Sequence, residues 1–345
     1  MSNTLLEAFE RQSHACATLG APFSAAVLER AGRAIIPGGI VSHLLADWSG
    51  VPADRLVRDA VALRLLASLH YLVLSGQAPA LAACYPPAAE DPEQAWVTAE
   101  QVLIDHAGPV AAILTHEPQT NEVRRSACLL GGFLTIEREA GLPLRCFELG
   151  ASAGLNSLWD AFRYEIGGTI WGDPASSVIV SSRWEGAAPS LDRDLIVAER
   201  HACDRRPIDI RQTADATRLL SYCWAEQRER MERLQAAVAL GQSGSLVVEA
   251  ENAARFVQRA APKTGFATVV FHSVVWQYIL PVEQAQILAT LESHAAAATA
   301  DAPFFWLRME LNETARQFEL RLWSGPGHDR LLAVVHPHGE YAVWQ

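Results

Sequence analysis

The sequence predicts a two-part α/β protein, helices first and then a mostly parallel sheet with crossover helices, and three observations predict it. Residues 1–142 carry apolar side chains at the three-and-four spacing of helices, with Gly and Pro between the segments. From Leu142 onward, short β-type runs alternate with helical stretches, the pattern of a sheet joined by crossovers. The first of those runs, Leu144–Leu149, passes into a turn of tiny residues and then a helix. A helical domain over 1–142 and a sheet domain over 143–345 are therefore expected.

Gly20, Pro37-Gly38-Gly39, Pro86-Pro87 and Pro118 divide the helical part. Its longest helix is expected over Asp54–Leu74, where Leu56, Val57, Ala60, Leu63, Leu66, Ala67 and Leu74 share a face, and His70 within it reads as a core histidine. Strands are expected at Leu144–Leu149, Ile196–Cys203, Leu246–Glu251, Ala267–His272, Phe304–Leu311, Phe318–Trp323 and Leu331–His336. Residues 163–186 alternate like a β-hairpin and read as an insertion that covers the site. Helices over Asp215–Leu240 and Val282–Ala298 suit crossovers, the second opened by Pro281. The linker from Leu311 to Phe318 is too short for a helix, so the last strands should form antiparallel hairpins at the sheet edge.

Composition narrows the function classes. Across 345 residues the net charge is −11, which repels a phosphate backbone and makes nucleic acid a poor partner. Six cysteines contain no Cys-x-x-Cys pair, as suits a reduced cytoplasm. The start lacks the basic patch and apolar run of a signal peptide, and no uninterrupted apolar stretch reaches the roughly 18 residues of a membrane span. A cytoplasmic protein without membrane partners is expected.

The most informative string is Cys146-Phe147-Glu148-Leu149-Gly150-Ala151-Ser152-Ala153-Gly154-Leu155-Asn156. Small residues at 150–154 let a bound molecule approach the backbone, and the following helix offers N–H groups. Glu148, at the strand end, is placed to accept hydrogen bonds from an ammonium or hydroxyl group. The same letters spell Gly-x-Ser-x-Gly, the nucleophile elbow of α/β-hydrolases, with Ser152 as nucleophile and His336 or His338 as its partner. An elbow follows earlier strands, however, and here everything upstream is helical. Close packing of small residues alone is the third reading.

Other candidates fall at strand ends, where open α/β sheets hold ligands. Asp204 follows the second strand and is expected to meet ribose hydroxyls, with Glu199 in its place if that strand ends earlier. Glu251 and Asn252 close the third strand beside an adenine amino group, unless Asn252 only caps a helix. His272 is the candidate base. Ser273, Trp276 and Tyr278 follow it on the substrate side, the two aromatics as an apolar wall or as ordinary packing. His336 and His338 stand two residues apart with no evident third ligand, so a turn is expected there and no metal.

The strings QTNEVRRSA at Gln119–Ala127, PLRCFELGASAGLNSLWDAFRYE, VVFHSVVWQYILP and HPHGEYAVW together resemble the bacterial family catalogued as domain of unknown function 2332, over most of the chain. The pattern Glu148-x-Gly150-x-Ser152-x-Gly154 is similar to the first motif of class I S-adenosylmethionine-dependent methyltransferases, with Ser152 where a glycine often stands. The resemblance implies a Rossmann-like methyltransferase sheet. It makes Asn121, Glu122 and Arg125 motif positions beside Glu148, Gly150, Ser152, Gly154 and Asn156. Without it, Thr120 reads as a helix cap, Glu122 as a charge favourable to the helix start and Arg125 as the next turn. With it, this helix is a polar lid that binds substrate.

The expected function is methyl transfer from S-adenosylmethionine to a small molecule. Glu148, Gly150, Ser152, Gly154, Asn156, Asp204, Glu251 and Asn252 would hold the cofactor, and His272 would remove a proton. The alternatives are a Ser152 hydrolase and a non-catalytic binder of a nucleoside metabolite. The methyl acceptor and the oligomeric state are not legible in the sequence.

Overall fold

The protein is described by a computed structural model that covers residues 3–345. Helices come first: α1 (Asn3–Thr18), α2 (Pro22–Arg33), α3 (Ile40–Leu44), α4 (Ala53–Arg58), α5 (Val61–Leu74), α6 (Pro79–Ala82), α7 (Pro92–Asp105), α8 (Ala107–Leu114) and α9 (Ser126–Ala140). Strands then enter with β1 (Leu144–Leu149), β2 (Arg163–Ile166), β3 (Thr169–Gly172), β4 (Ile179–Gly186) and β5 (Val197–Asp204). After α10 (Thr213–Ser221) and α11 (Arg228–Ser243) come β6 (Val248–Ala250), α12 (Ala253–Phe256), β7 (Ala267–Ser273) and α13 (Pro281–Ala297). The chain closes with β8 (Phe304–Asn312), β9 (Gln317–Trp323), β10 (Asp329–Val335) and β11 (Tyr341–Trp344).

Two compact units emerge. The first runs to Thr120 and takes in Arg211–Gln235, and the second comprises Asn121–Ile210 and Ala236–Gln345. The change of sequence pattern at residue 142 thus marks where strands begin, whereas α9 belongs with the sheet it precedes.

In the helical unit α5 is the central element, burying Val61, Leu65, Leu66, Leu69 and Leu72. Its buried Arg64 is tolerated because Nε donates to the Asp59 carbonyl at 2.8 Å and Nη1 to the Leu114 carbonyl at 3.0 Å. His70 is a core histidine, as expected, with Nδ1 3.3 Å from the Ser221 carbonyl, and burial pushes its pKa down to about 4. The single helix expected over Asp54–Leu74 is in fact two, α4 and α5, because Ala60 takes a left-handed φ of 53°. The apolar stripe crosses that break, so periodicity does not reveal it. Asp215–Leu240 likewise divides into α10 and α11. The turn between them brings Glu226 to Ser24, whose N and Oγ donate to its carboxylate at 2.8 and 2.7 Å and cap the start of α2.

The second unit is built on one sheet in the order β3-β2-β4-β11-β10-β9-β8-β7-β1-β5-β6. Neighbours among β6, β5, β1, β7 and β8 pair in parallel. In chain order these five lie third-second-first-fourth-fifth, so the direction of progression reverses between β1 and β7. The hairpins β8–β9, β9–β10 and β10–β11 are antiparallel as expected, yet they do not form an edge. β11 pairs in parallel with β4, and β4 with β2, so the 163–186 insertion prolongs the sheet. That arrangement was hidden because a strand's distant partner leaves no local mark.

Strand alternation sends side chains to two helical layers. On one face α9 comes close enough that a Cβ on Gly131 would lie 2.0 Å from Trp344 and one on Gly132 would lie 2.4 Å from Leu307. Phe133, the next residue of α9, stacks on Trp159 at 4.1 Å and meets Phe271 edge-on at 5.2 Å. A second core gathers Phe147, Leu149, Val270, Phe304 and Trp306 from the sheet with Phe256 of α12 and Ile287 and Leu291 of α13. Among the described residues, no helix is long and apolar enough to cross a membrane.

Candidate functional site

In an open sheet the strand order parts at a switch point, and the crevice outside the carboxyl ends of the strands there is the usual ligand position. Here that place lies between β1 and β7, and the 150–156 loop leaves β1 at it. The loop is closely packed. A Cβ on Gly150, whose φ is 64°, would lie 2.1 Å from Val275 Cγ2, and one on Gly154 would lie 2.7 Å from Val248 Cγ2. Its amides are mostly engaged within the protein: Ala151 N donates to the Cys203 carbonyl at 2.9 Å, Ser152 N to Asp204 at 2.8 Å, Gly154 N to the Ala151 carbonyl at 2.8 Å and Leu155 N to Asn121 Oδ1 at 3.1 Å. The expected outward-facing amide cradle is thus spent on tying the loop down.

Asp204 ends β5, and its second oxygen accepts from Arg206 N at 2.8 Å, so its carboxylate is held at the strand end. Glu199 sits earlier in the strand beside Arg145 and Lys263, which hold it at about 2. Glu148 accepts from a hydroxyl within the protein, that of Ser157. Burial raises its pKa to about 8, so at neutral pH it is largely a protonated acid bonded to Ser157. Asn252 caps α12 through Ala254 N at 2.8 Å, and Glu251 pairs with Arg259 at 2.8 Å, so the capping reading holds at that strand end. The open recess of about 670 Å³ along β6 is lined by these same paired charges.

His272, expected as a base, has another part. It is fully buried; Nδ1 lies 2.7 Å from Glu310 and Nε2 accepts the Trp306 indole N–H at 3.0 Å. Both ring nitrogens are occupied, which fixes the neutral Nδ1–H tautomer and leaves none for substrate. Glu310 also accepts Val275 N at 2.9 Å and Trp276 N at 3.3 Å, fixing the turn after β7 that carries Val274 at φ 56°. Trp276 stacks on His272 at 5.5 Å, while Tyr278 is 67% exposed and can reach a ligand only from the rim.

A second polar group converges on the same edge. Residues 121–125 do not begin a helix at Thr120; Glu122 caps a short 3-10 turn by accepting Arg124 N at 3.1 Å, and α9 starts at Ser126. Asn121, at φ 36°, accepts from the loop through Leu155 N, and the Glu122 carbonyl accepts Asn156 Nδ2 at 3.2 Å. Arg125 joins the turn between β10 and β11 to the end of β7, donating to the Pro337 carbonyl at 2.9 Å and the Ser273 carbonyl at 3.4 Å. In that turn His338 Nδ1 lies 3.4 Å from Glu122 Oε2. Sequence reasoning found Asn121, Glu122 and Arg125 only through a family pattern and gave His336 and His338 a part only as partners of a Ser152 nucleophile. Their sole signal was the density of polar residues in HPHGEY.

In the 150–156 loop, Ser152 Oγ and Asn156 Oδ1 are buried and meet no hydrogen-bond partner among the described residues. Ser152 has φ 57°, a left-handed conformation that favours glycine, yet no imidazole bonds to its Oγ. The hydrogen-bonded row of serine, histidine and acid that defines a hydrolytic triad is absent from the described residues. So is any gathering of three His, Cys, Asp or Glu side chains suited to a metal ion.

No curated protein and no solved structure matches this chain. The family model of uncharacterized proteins conserved in bacteria, DUF2332, matches residues 6–344, and the chain, with its motif residues gathered at one sheet edge, belongs to that family.

Proposed function

We propose that the sheet unit is a Rossmann-like, methyltransferase-type domain that takes S-adenosylmethionine at the carboxyl edge of its parallel strands and acts on a small polar molecule. One observation carries this reading: in a third-second-first-fourth-fifth strand order, the glycine loop, the acid ending the second strand and the 121–125 segment all fall at the switch point. The fit is through side chains. Ser152 Oγ and Asn156 Oδ1 are buried acceptors still to be satisfied, and Asp204 presents a pinned carboxylate. When bound, S-adenosylmethionine supplies an already activated methyl group, so this chain's own tasks are to orient, to exclude water and to manage a proton. The packed loop serves as a floor, and Trp276 with Tyr278 borders the substrate side.

A second reading is favoured by the spent amides and by Val275 against Gly150: a non-catalytic binder of a nucleoside metabolite. Calorimetric titration with S-adenosylmethionine and S-adenosylhomocysteine tests both. Binding by the wild type, weakened about tenfold or more in Asp204→Asn, is expected, since a charge-assisted hydrogen bond is worth about 1.5–3 kcal/mol. No heat with either compound removes both readings, and binding without label transfer to a panel of acceptors leaves the second.

A further inference from the structure

The Glu122 carboxylate is 3% exposed and immobilised, with Oε1 on Arg124 N, its own carbonyl on Asn156 and Oε2 turned to His338. The turn bearing His338 is equally constrained. At Gly339, φ 76°, a Cβ would lie 2.2 Å from the Arg124 carbonyl oxygen, so only glycine lets the turn press against residues 124–125. Ser182 Oγ donates to the Gly339 carbonyl at 2.9 Å, and His338 N donates to His336 Nδ1 at 3.2 Å. His338 itself is 35% exposed, and its Nε2 bonds to nothing among the described residues. The remaining charged groups nearby are Arg124, ion-paired with Glu340 at 3.2 Å, and Arg125 on the Pro337 carbonyl.

We propose that Nε2 of His338, oriented by Glu122, is the proton acceptor for an ionisable O–H or N–H of the small molecule bound at this edge. The carboxylate receives the Nδ1–H, which leaves the Nε2 lone pair directed outward. The substrate's X–H bond breaks, its proton goes to Nε2, its electron pair stays on X, and the imidazolium keeps its Nδ1–H on Glu122. Backbone strain at Asn121, next to Glu122 in the chain, and the unsatisfied Oδ1 of Asn156, whose Nδ2 bonds to the Glu122 carbonyl, stand beside this pair, as at sites held ready for a ligand. The substrate class, a small phenol, alcohol or amine, rests on the transferase reading, whereas the pair rests on its own geometry.

Carbethoxylation by diethyl pyrocarbonate, mapped by mass spectrometry, reads the Nε2 lone pair directly. His338 should react in the folded wild type while His272 does not. Glu122→Gln should slow His338 by about 3–10-fold, because the tautomer is no longer held, and leave the exposed His14 and His43 unchanged. An equal rate at His338 overturns the pair. Should Glu122→Gln fail to fold, imidazole ¹⁵N shifts of the wild type decide: a neutral Nδ1–H tautomer at His338 supports the proposal, and an Nε2–H tautomer overturns it. With methyl-labelled S-adenosylmethionine and a panel of phenols, alcohols and amines, His338→Gln should lower transfer about 10²–10⁴-fold with cofactor heat unchanged. Equal transfer by wild type and His338→Gln overturns the proton role alone, whereas absence of cofactor heat in the wild type overturns the transferase reading and leaves the pair to the carbethoxylation result.

Discussion

His272 and His338 both stand at the carboxyl edge of the sheet with a glutamate at Nδ1, Glu310 at 2.7 Å in one case and Glu122 at 3.4 Å in the other. The difference lies in the second nitrogen. His272 is sealed in the core and its Nε2 accepts from Trp306, so the pair works as a strut. Through Glu310 it holds the Val275 amide, and Val275 in turn covers Gly150. His338 is half-buried with Nε2 open, held by a turn that four separate hydrogen bonds and a glycine contact secure. A carboxylate–imidazole pair is thus structural or chemical according to what meets its far side, and residue type alone does not distinguish the two.

The largest effect that tests this contrast is His272→Ala. It empties a fully buried site, strands the Trp306 N–H there and takes one partner from Glu310, so denaturant unfolding should reveal a loss of about 3–5 kcal/mol. A loss below ~1 kcal/mol would break the contrast at its structural end.

Next comes Glu148, a buried acid with no imidazole. Its folded pKa is raised to about 8 by burial, so stability falls as pH rises from its unfolded value through 8. Glu148→Gln, free of that penalty, should exceed the wild type by about 2–4 kcal/mol at pH 9 and match it near pH 4. A pH-independent difference would mean that the carboxyl is not buried as described.

Gly150→Ala comes third. Its Cβ would meet Val275 at 2.1 Å in a left-handed backbone, costing about 1–3 kcal/mol. Adding Val275→Ala should recover part of that loss with a coupling of about 0.5 kcal/mol or more, and strict additivity would show that the two do not touch. The smallest effect is expected for His338→Ala, within about 1 kcal/mol of the wild type, because the side chain is half-exposed, its contact to Glu122 is long at 3.4 Å, and Glu122 keeps its bond from Arg124 N. Thermal melting checks it, and a large drop would make His338 a second strut.

Much of the fold was legible because strand and helix patterns are local. β1 matches its expected bounds, and β7 extends only to Ser273 beyond the expected Ala267–His272. The breaks at Ala60 and between α10 and α11 were not legible, since one left-handed residue and one short turn leave hydrophobic periodicity intact. The C-terminal hairpins were readable as hairpins, whereas their central place was not, because β4 supplies the neighbour of β11 from far earlier in the chain. Within the site, Asp204 was readable as a strand-end acid and Asn252 as a cap, but the occupancy of the loop amides was not.

By itself the sequence determined where strands begin, which turn leaves the first strand, and which polar residues stand in the blocks that resemble the family. Only the tertiary structure decided the strand order, the protonated state of Glu148 and the separate fates of two histidines. The physical reason is that a side chain's chemistry depends on burial and on partners set by folding: Glu310 lies 38 residues from His272, and Glu122 lies 216 from His338. No local pattern encodes which nitrogen such a distant neighbour will occupy.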